Sequence, residues 1–426
     1  MSPKILSDSE SHMNQSLSSP GDTPSSSTDR KVSVFTENYP YEPLPSDRHI
    51  RLLRFEPPVS SSTQNIPLIS ATLQVSWAGP GCRDPSSYQP YKALSYEWGS
   101  PPSNPSDART MLLDNHPIHI RQNLHDALHS ILHNHEKLYG TSPFYLWVDA
   151  LCINQLDDRE KGRQVQLMKT IYEAAEMVIV WLGKGTACTD EAMALLKMKE
   201  GDLHKYVREG NLSWKERQGL TDLYCDATYW RRVWILQEFA LARDYVILCN
   251  RAFVTKECFE SGLSIAKWWS IRGPRDKSGT EAHTNWPAQD LVYRAPVERM
   301  IALGGLLART PGPTLDNWLD IVCIHGFKAT DPRDYVFAIL GISRDGDEIV
   351  PDYELSTTEV YCMAISTREA RSRISYDENF SYRDWADLMG ISRDRARKLQ
   401  QKLEEEEEDM SSLEDQDMWD SDLEFI

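Results

Sequence analysis

The most constraining feature of the chain is a strand, helix, strand pattern between residues 144 and 183. FYLWVDA (144–150) and MVIVWLG (177–183) are short apolar runs typical of buried strands, and between them Val165, Met168 and Tyr172 recur at helical spacing. A crossover helix makes the two strands that it joins parallel, with a right-handed connection. The pattern therefore predicts an α/β fold in which a parallel sheet is flanked by helices.

Neighbouring segments extend this pattern. YKALSYEWG (91–99) is typical of a further strand and NLHDALHSIL (123–132) of an amphipathic helix. YWRRVWILQEFALA (229–242) has a helical apolar stripe, and YVILC (245–249) is the next strand-like run. We expect these segments to belong to the same sheet and its covering helices.

The flanking regions carry different signals. IRLLRF (50–55) and ATLQVSW (71–77) alternate like the strands of a hairpin, whereas the sequence beyond residue 260 is mostly helical. ATDPRDYVFAILGI (329–342) places Asp331 as the N-cap of a short helix, Pro332 at its first position and Gly341 as its end. The predicted architecture is thus an α/β core with a mostly helical C-terminal extension.

Composition divides the chain further. Residues 1–30 hold ten serines and little apolar mass, so they cannot offset the entropy of ordering. The predicted organisation is as follows: a disordered Ser-rich arm at 1–30, N-terminal strands at 31–90, the α/β core at 91–260, a helical extension at 261–370, a helical segment at 371–403 and an acidic disordered tail at 404–426.

Net charge argues against a nucleic-acid or membrane protein. The chain carries a net charge of −18, but residues 404–426 contain 12 acidic and no basic residues, so the rest carries only −6. Phosphate binding needs a concentrated basic face, which such a body lacks. The longest apolar run, 177–182, is far too short to span a bilayer, and the N-terminus has no apolar region of a signal peptide.

Eight cysteines are scattered without a CxxC pair, as expected for reduced thiols in an intracellular protein. The sequence contains no Walker loop, GxGxxG, GxSxG or HExxH string, so nucleotide-loop, hydrolase and zinc-protease assignments have no support. We therefore predict a cytoplasmic protein without a metal site.

Four strings resemble the fungal heterokaryon-incompatibility (HET) domain. They are YKALSYEWGS from residue 91, LWVDALCINQLDDREKGRQVQLMKTIYEAAEMVIVWLG from 146, RRVWILQEFALA from 231 and TDPRDYVFAILGI from 330. Lys161 stands where an Arg is more usual in the family, and Glu97 occupies a position that varies. The resemblance implies a role in nonself recognition, where such domains trigger growth arrest or cell death after incompatible cells fuse.

The HET family is in turn similar to the TIR domain, which implies a TIR- or flavodoxin-like sheet. Some TIR domains cleave NAD and carry a Trp-x-x-x-Glu on one helix, a spacing that Trp234 and Glu238 reproduce. The resemblance implies Glu238 as a catalytic carboxylate that stabilises a cationic ribose, with Trp234 stacking on a ring. In the alternative, Trp234 packs in the core and Glu238 caps or pairs locally.

Other candidates lie where the first two core strands end. Tyr96 and Trp98 follow one strand and Asp149 the other, and the carboxyl ends of such strands are where open α/β sheets bind ligands. We predict that Tyr96, Trp98, Asp149 and Trp234 contact NAD as a substrate, with no cofactor required. Alternatively, Asp149 and Asn154 fix the following turn by local hydrogen bonds.

Three histidines and one cysteine form two further patterns that could suggest a site. His125, His129 and His133 recur at i, i+4 and i+8, but no Cys or Glu cluster accompanies them, so a solvated helix is favoured over a metal site. Cys152 has no nearby His and is better explained as a buried thiol than as a nucleophile.

Three functions follow from this sequence. The leading hypothesis is a cell-death effector in heterokaryon incompatibility that works by self-association and with protein partners, away from membranes and nucleic acid. The alternative is a NAD glycohydrolase. A third hypothesis is a DNA-associated regulator, because WADLMGISRDRARKLQQKL (385–403) has the helix, turn, helix pattern of a DNA-binding motif and precedes the acidic tail.

Overall fold

The computed structural model describes these residues: 39–55, 68–79, 81, 87–100, 108–140, 143–272, 296–307, 312–367, 382–403 and 405. The predicted Ser-rich arm at 1–30 and nearly all of the acidic tail at 404–426 lie outside the described residues, and so does all of 371–381.

The described residues form a mixed sheet of nine strands. The strands in chain order are β1 (His49–Phe55), β2 (Ser70–Trp77), β3 (Lys92–Tyr96), β4 (Arg109–Leu113), β5 (His116–Ile120), β6 (Phe144–Trp147), β7 (Met177–Trp181), β8 (Tyr245–Cys249) and β9 (Ala252–Thr255). Their spatial order is β5-β4-β2-β1-β6-β3-β7-β8-β9.

Four central strands, β6-β3-β7-β8, are mutually parallel. Counted along the chain they are the second, first, third and fourth strands of the unit, which is the strand order of a flavodoxin-like doubly wound sheet. The strand order reverses beside β3, the place where such sheets bind ligands. The predicted α/β fold class is therefore confirmed.

The outer strands make the whole sheet mixed, although its four central strands are parallel as predicted. β1 and β2 form the expected antiparallel hairpin, and β1 also pairs antiparallel with β6, so the hairpin extends the core sheet. β9 adds an antiparallel edge next to β8. Antiparallel strands need only short connections, which is why these additions required no crossover helix.

Helices cover both faces of the sheet and form the C-terminal region. They are α1 (Gln122–His133), α2 (His135–Tyr139), α3 (Asp149–Cys152), α4 (Asp158–Ala174), α5 (Ala187–Leu195), α6 (Glu200–Arg208), α7 (Trp214–Thr221), α8 (Ile235–Glu238), α9 (Lys256–Arg272), α10 (Pro296–Leu307), α11 (Leu315–His325), α12 (Asp334–Leu340), α13 (Thr357–Ile365), α14 (Tyr382–Leu388) and a final helix, α15, at 393–403.

The amphipathic helix predicted at 123–132 is present as α1, and the predicted crossover helix is α4. Leu124, Ala127, Leu128 and Ile131 are buried on α1. α4 is capped by Asp157, whose carboxylate accepts the backbone N–H groups of Arg159 and Glu160. The apolar period and the cap residue together explain why these helices were predictable.

The helix predicted at 229–242 is much shorter in the structure. Thr228–Arg231 forms a 3-10 turn and only Ile235–Glu238 is α-helical, because Arg232 adopts an extended conformation and pairs as an isolated β-bridge with Lys328. The long-range backbone pairing prevails over the local helical period.

The start of α12 also differs from the prediction. The helix begins at Asp334, three residues after Asp331. The Asp331 carboxylate still accepts the backbone N–H of Arg333, at 3.0 Å, and also binds the Arg333 guanidinium. Asp331 thus initiates a turn that leads into the helix.

A buried ion pair fixes the hairpin to the core. Arg51 of β1 and Glu160 of α4 form two hydrogen bonds, of 2.6 and 3.0 Å, and both side chains are almost fully buried. Glu160 also accepts the backbone N–H of Asn154. The loop after β6 is therefore held against the hairpin by one carboxylate.

Candidate functional site

A cluster of charged and aromatic side chains lies at the carboxyl ends of β3 and β6. Tyr96 is the last residue of β3, and Asp149 begins α3 two residues after β6 ends. Trp98 follows β3, and its indole N–H donates to Asp149 Oδ2 at 2.7 Å. The parallel pairing of β3 with β6 brings these side chains to one edge of the sheet. We call this group of residues, with Ser95, Arg121, Arg232 and Glu238, the strand-end cluster.

Glu238 enters the cluster from α8. Its Oε2 atom accepts a hydrogen bond from the Ser95 hydroxyl at 2.5 Å and another from Arg232 Nη1 at 3.1 Å. The Ser95 hydroxyl lies 2.6 Å from the Tyr229 hydroxyl. Glu238 is only 2% exposed, so its carboxylate forms the floor of the cluster.

Asp149 is more accessible than Glu238. Asp149 as a whole residue is half-buried, whereas Glu238 is buried, and the Asp149 carboxylate lies deep among protein atoms. Burial, and secondly the nearby Glu238 charge, raise the pKa of Asp149 to about 6. Asp149 is thus mostly ionised at pH 7 while remaining close to its titration range.

Two arginines balance the two carboxylates. Burial lowers the pKa of Arg232, but the charges of Glu238 and Asp149 outweigh that effect and raise it above its ordinary value. Arg121 donates to the Gly99 carbonyl at 2.6 Å, and its guanidinium lies 5.4 Å from the centre of the Trp98 ring. The cluster therefore contains two negative and two positive side chains around the Tyr96 ring.

The backbone around the cluster is held by further polar contacts. Asn123 at the start of α1 donates to the Glu97 carbonyl and accepts from the Trp181 indole at the end of β7. The Thr228 hydroxyl donates to the Glu97 carboxylate at 2.5 Å. The segment after β3 is therefore fixed from both of its sides.

The structure brings four of the five predicted site residues together. Tyr96, Trp98, Asp149 and Glu238 belong to the strand-end cluster, whereas the half-buried Trp234 side chain packs against the apolar core. Glu238 N–H does donate to the Trp234 carbonyl, at 3.1 Å, so the two residues share one helical turn.

Sequence reasoning missed Ser95, Arg232 and Tyr229. Ser95 is fully buried in an otherwise apolar strand, and a hydroxyl in such a position indicates a polar partner across the interior. Arg232 follows Arg231 in the sequence, and nothing local distinguishes the half-buried Arg232 from the exposed Arg231. Ser95 and Arg232 can be recognised as site residues only once the fold places α8 next to β3.

The other candidates are structural in this fold. Cys152 is fully buried, and burial raises the pKa of its thiol to about 12, which disfavours a nucleophilic role. Asn154 caps the next turn, since its side-chain oxygen accepts the Leu156 N–H. His125 and His129 contact each other, with their Nε2 atoms 3.2 Å apart. No group of three or more metal-ligating side chains occurs within the described ranges.

The segment at 385–403 has the predicted helix, turn, helix shape. α14 and α15 are joined through Gly390, which has a φ of +73°. Trp385 of α14 donates to Asp320 of α11 at 3.1 Å, so the segment packs on the C-terminal extension. Arg393, the first residue of α15, pairs with Asp387 at 2.6 Å. In the part of the chain that the structure describes, no helix is long and apolar enough to cross a membrane.

Comparison with known proteins defines the class. Residues 91–238 match the family described as Heterokaryon incompatibility protein (HET). This match spans β3 to the end of α8 and includes the strand-end cluster. Residues 91–238 are therefore similar to the HET family, and the resemblance seen in the sequence strings is confirmed.

One curated relative extends the similarity beyond this domain. The chain is 26% identical over 359 residues to "Heterokaryon incompatibility protein 6, OR allele" of Neurospora crassa, an alignment that covers 73% of this chain and 50% of the relative. The chain thus spans about half the length of the curated relative it matches. No solved structure matches the chain.

The arrangement has the chemistry to stabilise a developing positive charge. Asp149 and Glu238 lie close enough for the Glu238 charge to raise the pKa of Asp149, in buried surroundings where electrostatic effects are stronger than in bulk solvent. Arg232 holds the carboxylate of Glu238 in a fixed orientation. The two arginines balance the charge of the two carboxylates, so the site can stabilise a positive charge only next to one carboxylate, and Asp149 is the less buried of the two residues.

Proposed function

We propose that this protein acts in heterokaryon incompatibility, as an effector that arrests growth or kills the cell after nonself recognition. The support is the HET-domain match together with similarity to an incompatibility protein over 73% of the chain. We further propose that the effector assembles with itself and with protein partners in the cytoplasm.

The strand-end cluster is the proposed site of the effector activity. Buried and paired charges are costly, and where they gather at the ligand-binding edge of an α/β sheet they indicate function rather than stability. The single observation that carries this proposal is the juxtaposition of Asp149, Arg232 and Glu238 at the ends of β3 and β6.

The proposed reaction is hydrolysis of the bond between nicotinamide and ribose in NAD. Nicotinamide leaves as a neutral molecule and needs no strong acid, while the ribose carbon acquires positive charge. Asp149 is the carboxylate that a ligand can reach, so we place it next to the ribose and place Glu238 behind it as a source of negative potential. Water then adds to the ribose carbon and loses a proton to give ADP-ribose.

Expression of the full chain from an inducible promoter in a filamentous fungus tests the effector proposal. The wild type should arrest growth, and Glu238→Gln should not, because it keeps the side-chain size and removes the charge. Glu216→Gln is the matched control, since Glu216 caps α7 away from the cluster. Equal killing by Glu238→Gln and the wild type, at equal folded amounts, would contradict the proposal.

The NAD reaction has its own test. Purified full-length protein is incubated with NAD, and nicotinamide is measured by chromatography. Release by the wild type but not by Glu238→Gln supports the hydrolase. Growth arrest without nicotinamide release would leave the effector proposal intact and rule out the NAD reaction, so that assembly would be the source of toxicity.

A further inference from the structure

The segment that carries Arg232 and Glu238 is held at its start by residues beyond the matched HET region. Val233 N–H donates to the Lys328 carbonyl at 3.0 Å, and Lys328 N–H donates to the Arg231 carbonyl at 2.6 Å. Arg232 lies between these two bonds and forms an isolated parallel bridge with Lys328. The backbone that carries the Arg232 guanidinium is therefore fixed by the C-terminal extension.

The same segment is attached to the extension a second time, through the side chain of Gln237. This residue is only 1% exposed, and its Nε2 atom donates to the Ala338 carbonyl at 2.8 Å. Ala338 lies in the last turn of α12, where backbone carbonyls have no partner within the helix. The Gln237 amide thus supplies the end of α12 with a donor, and the bond joins α8 to α12.

The Gln237 amide is also closely packed. A Cβ added at Gly341, the residue that follows α12, would lie 3.2 Å from Gln237 Oε1 and 3.3 Å from Gln237 Nε2. The same Cβ would lie 3.1 Å from the Cβ of Lys169 on α4. The absence of a side chain at residue 341 leaves the room that the amide occupies, so packing and hydrogen bonding together fix its orientation.

α8 depends on such contacts because it is only four residues long. A helix of one turn is unstable on its own, since nucleation costs more than a single turn returns. Its last residue, Glu238, is bonded to Ser95 of β3 and to Arg232, whereas the preceding Gln237 is bonded to α12. The position of the Glu238 carboxylate is therefore set by two attachments of α8, one to the sheet and one to the C-terminal extension.

We propose that Gln237 is a positioning residue for the strand-end cluster. It acts through α8, because its bond to Ala338 holds this turn in the orientation that keeps the Glu238 carboxylate against Ser95 and Arg232. The functional unit then includes residues 328–341 as well as the matched HET region. The part of this proposal that concerns effector activity rests on the proposed function, whereas the part that concerns α8 does not.

Gln237→Met tests the proposal, since methionine has a similar length but no donor for the Ala338 carbonyl. Hydrogen exchange of the Glu238 amide, which is bonded to the Trp234 carbonyl, reports on opening of α8. The amides of β7, in the centre of the parallel strands, report on global unfolding. The ratio of Glu238 exchange to β7 exchange should rise about fivefold in Gln237→Met, as expected for the loss of one neutral hydrogen bond.

Gln164→Met is the matched control. Gln164 of α4 is also 1% exposed, and its Nε2 atom donates to a distant backbone carbonyl, that of His49 on β1, at 2.9 Å. In Gln164 and Gln237 alike, Oε1 is buried without a hydrogen-bond partner among the described residues. The two substitutions therefore remove the same groups, but only one of them at α8. Gln164→Met should keep the wild-type exchange ratio, and an equal rise in both variants would overturn the proposal, as would an unchanged ratio in Gln237→Met.

Gly341→Ala disturbs the same bond from the side of α12. The φ of residue 341 is −65°, which alanine adopts without strain, so the main effect of the added Cβ is to crowd the Gln237 amide. The exchange ratio should rise in this variant as well. If Gln237→Met does not fold, a wild-type ratio in Gly341→Ala overturns the proposal.

Growth arrest then connects the position of α8 to the effector activity. Arrest per folded molecule should fall in Gln237→Met and stay at the wild-type level in Gln164→Met. Full arrest by a Gln237→Met protein with a raised exchange ratio would refute the role of Gln237 in activity. A wild type that does not arrest growth refutes the proposed function instead, and the exchange ratios still decide whether Gln237 holds α8.

Discussion

Replacing Asp149 with Asn is expected to stabilise the protein at neutral pH. Asp149 has a pKa of about 6 in the folded protein against an ordinary value of 3.8. A carboxylate with a raised folded pKa binds protons more tightly when folded, so its contribution to stability is greatest below the unfolded pKa and is lost as pH rises through the folded one. The ionised Asp149 side chain therefore lowers the stability of the folded protein at neutral pH.

The magnitude follows from the shift. At pH 7.5, above both pKa values, the raised pKa lowers the free energy of unfolding by about 3 kcal/mol. At pH 4.5, between the two values, it lowers it by only about 1 kcal/mol. The Trp98 indole donates to Asp149 Oδ2 and the Ala150 N–H to Oδ1, so Asn keeps an acceptor for only one of these donors and loses the other hydrogen bond at a cost of about 1 to 1.5 kcal/mol. The net gain for Asp149→Asn is then about 1 to 2 kcal/mol at pH 7.5 and near zero at pH 4.5.

Urea unfolding of the full chain at both pH values measures this gain. Asp331→Asn is the control with the opposite sign: hydrogen bonds from Arg333 lower the pKa of Asp331, although burial opposes the shift. That carboxylate stabilises the fold above its unfolded pKa and loses this effect as pH falls, so Asp331→Asn should destabilise more at pH 7.5 than at 4.5. An Asp149→Asn variant that is less stable than the wild type at pH 7.5 would refute the reasoning.

Three other predictions concern stability and reactivity. Glu160→Gln should lower the free energy of unfolding by about 3 to 5 kcal/mol, because it leaves Arg51 buried without its carboxylate. Asp47→Asn, which breaks the exposed pair with Arg163, should lower it by less than about 1 kcal/mol, and similar losses in the two variants would contradict this prediction. Gly162→Ala should lower the temperature of thermal unfolding, since a Cβ would lie 2.6 Å from the Pro351 carbonyl oxygen. Gly201→Ala on α6 meets open space and should be neutral or stabilising. Unchanged thermal unfolding of Gly162→Ala would disprove the close packing of α4 on Pro351. Iodoacetamide should label Cys152 only after unfolding, because the thiol is buried with a pKa of about 12. Rapid labelling of Cys152 in the native protein, detected by mass spectrometry, would argue against that burial.

The parts of the fold that were predictable depend on local periodicity. β3, β6, β7 and β8 are continuous apolar runs, and α1 and α4 have clear apolar faces, so the parallel core followed from the sequence. The mixed character of the sheet did not follow, because nothing local indicates that β1 pairs with β6. That pairing depends on contacts between residues almost one hundred positions apart, such as Leu53 with Leu146.

The candidate site shows the same division. Tyr96, Trp98 and Asp149 could be placed together because they follow two adjacent parallel strands. Trp234 was assigned to them from its Trp-x-x-x-Glu spacing to Glu238, and that turn is helical in the structure, since Glu238 N–H donates to the Trp234 carbonyl. The hydrogen bond of Glu238 to Ser95 of β3 could not be predicted, because no local pattern connects these two segments.

The killing activity of Asp149→Asn is the most direct test of the central claim, that the strand-end cluster is the effector site. Because this variant is expected to be at least as stable as the wild type at cytoplasmic pH, loss of activity cannot be attributed to unfolding. Inducible expression in a filamentous fungus, with folded protein quantified in each strain, should show growth arrest by the wild type and normal growth with Asp149→Asn. Full growth arrest by folded Asp149→Asn would contradict the account and move the effector function away from the ends of β3 and β6.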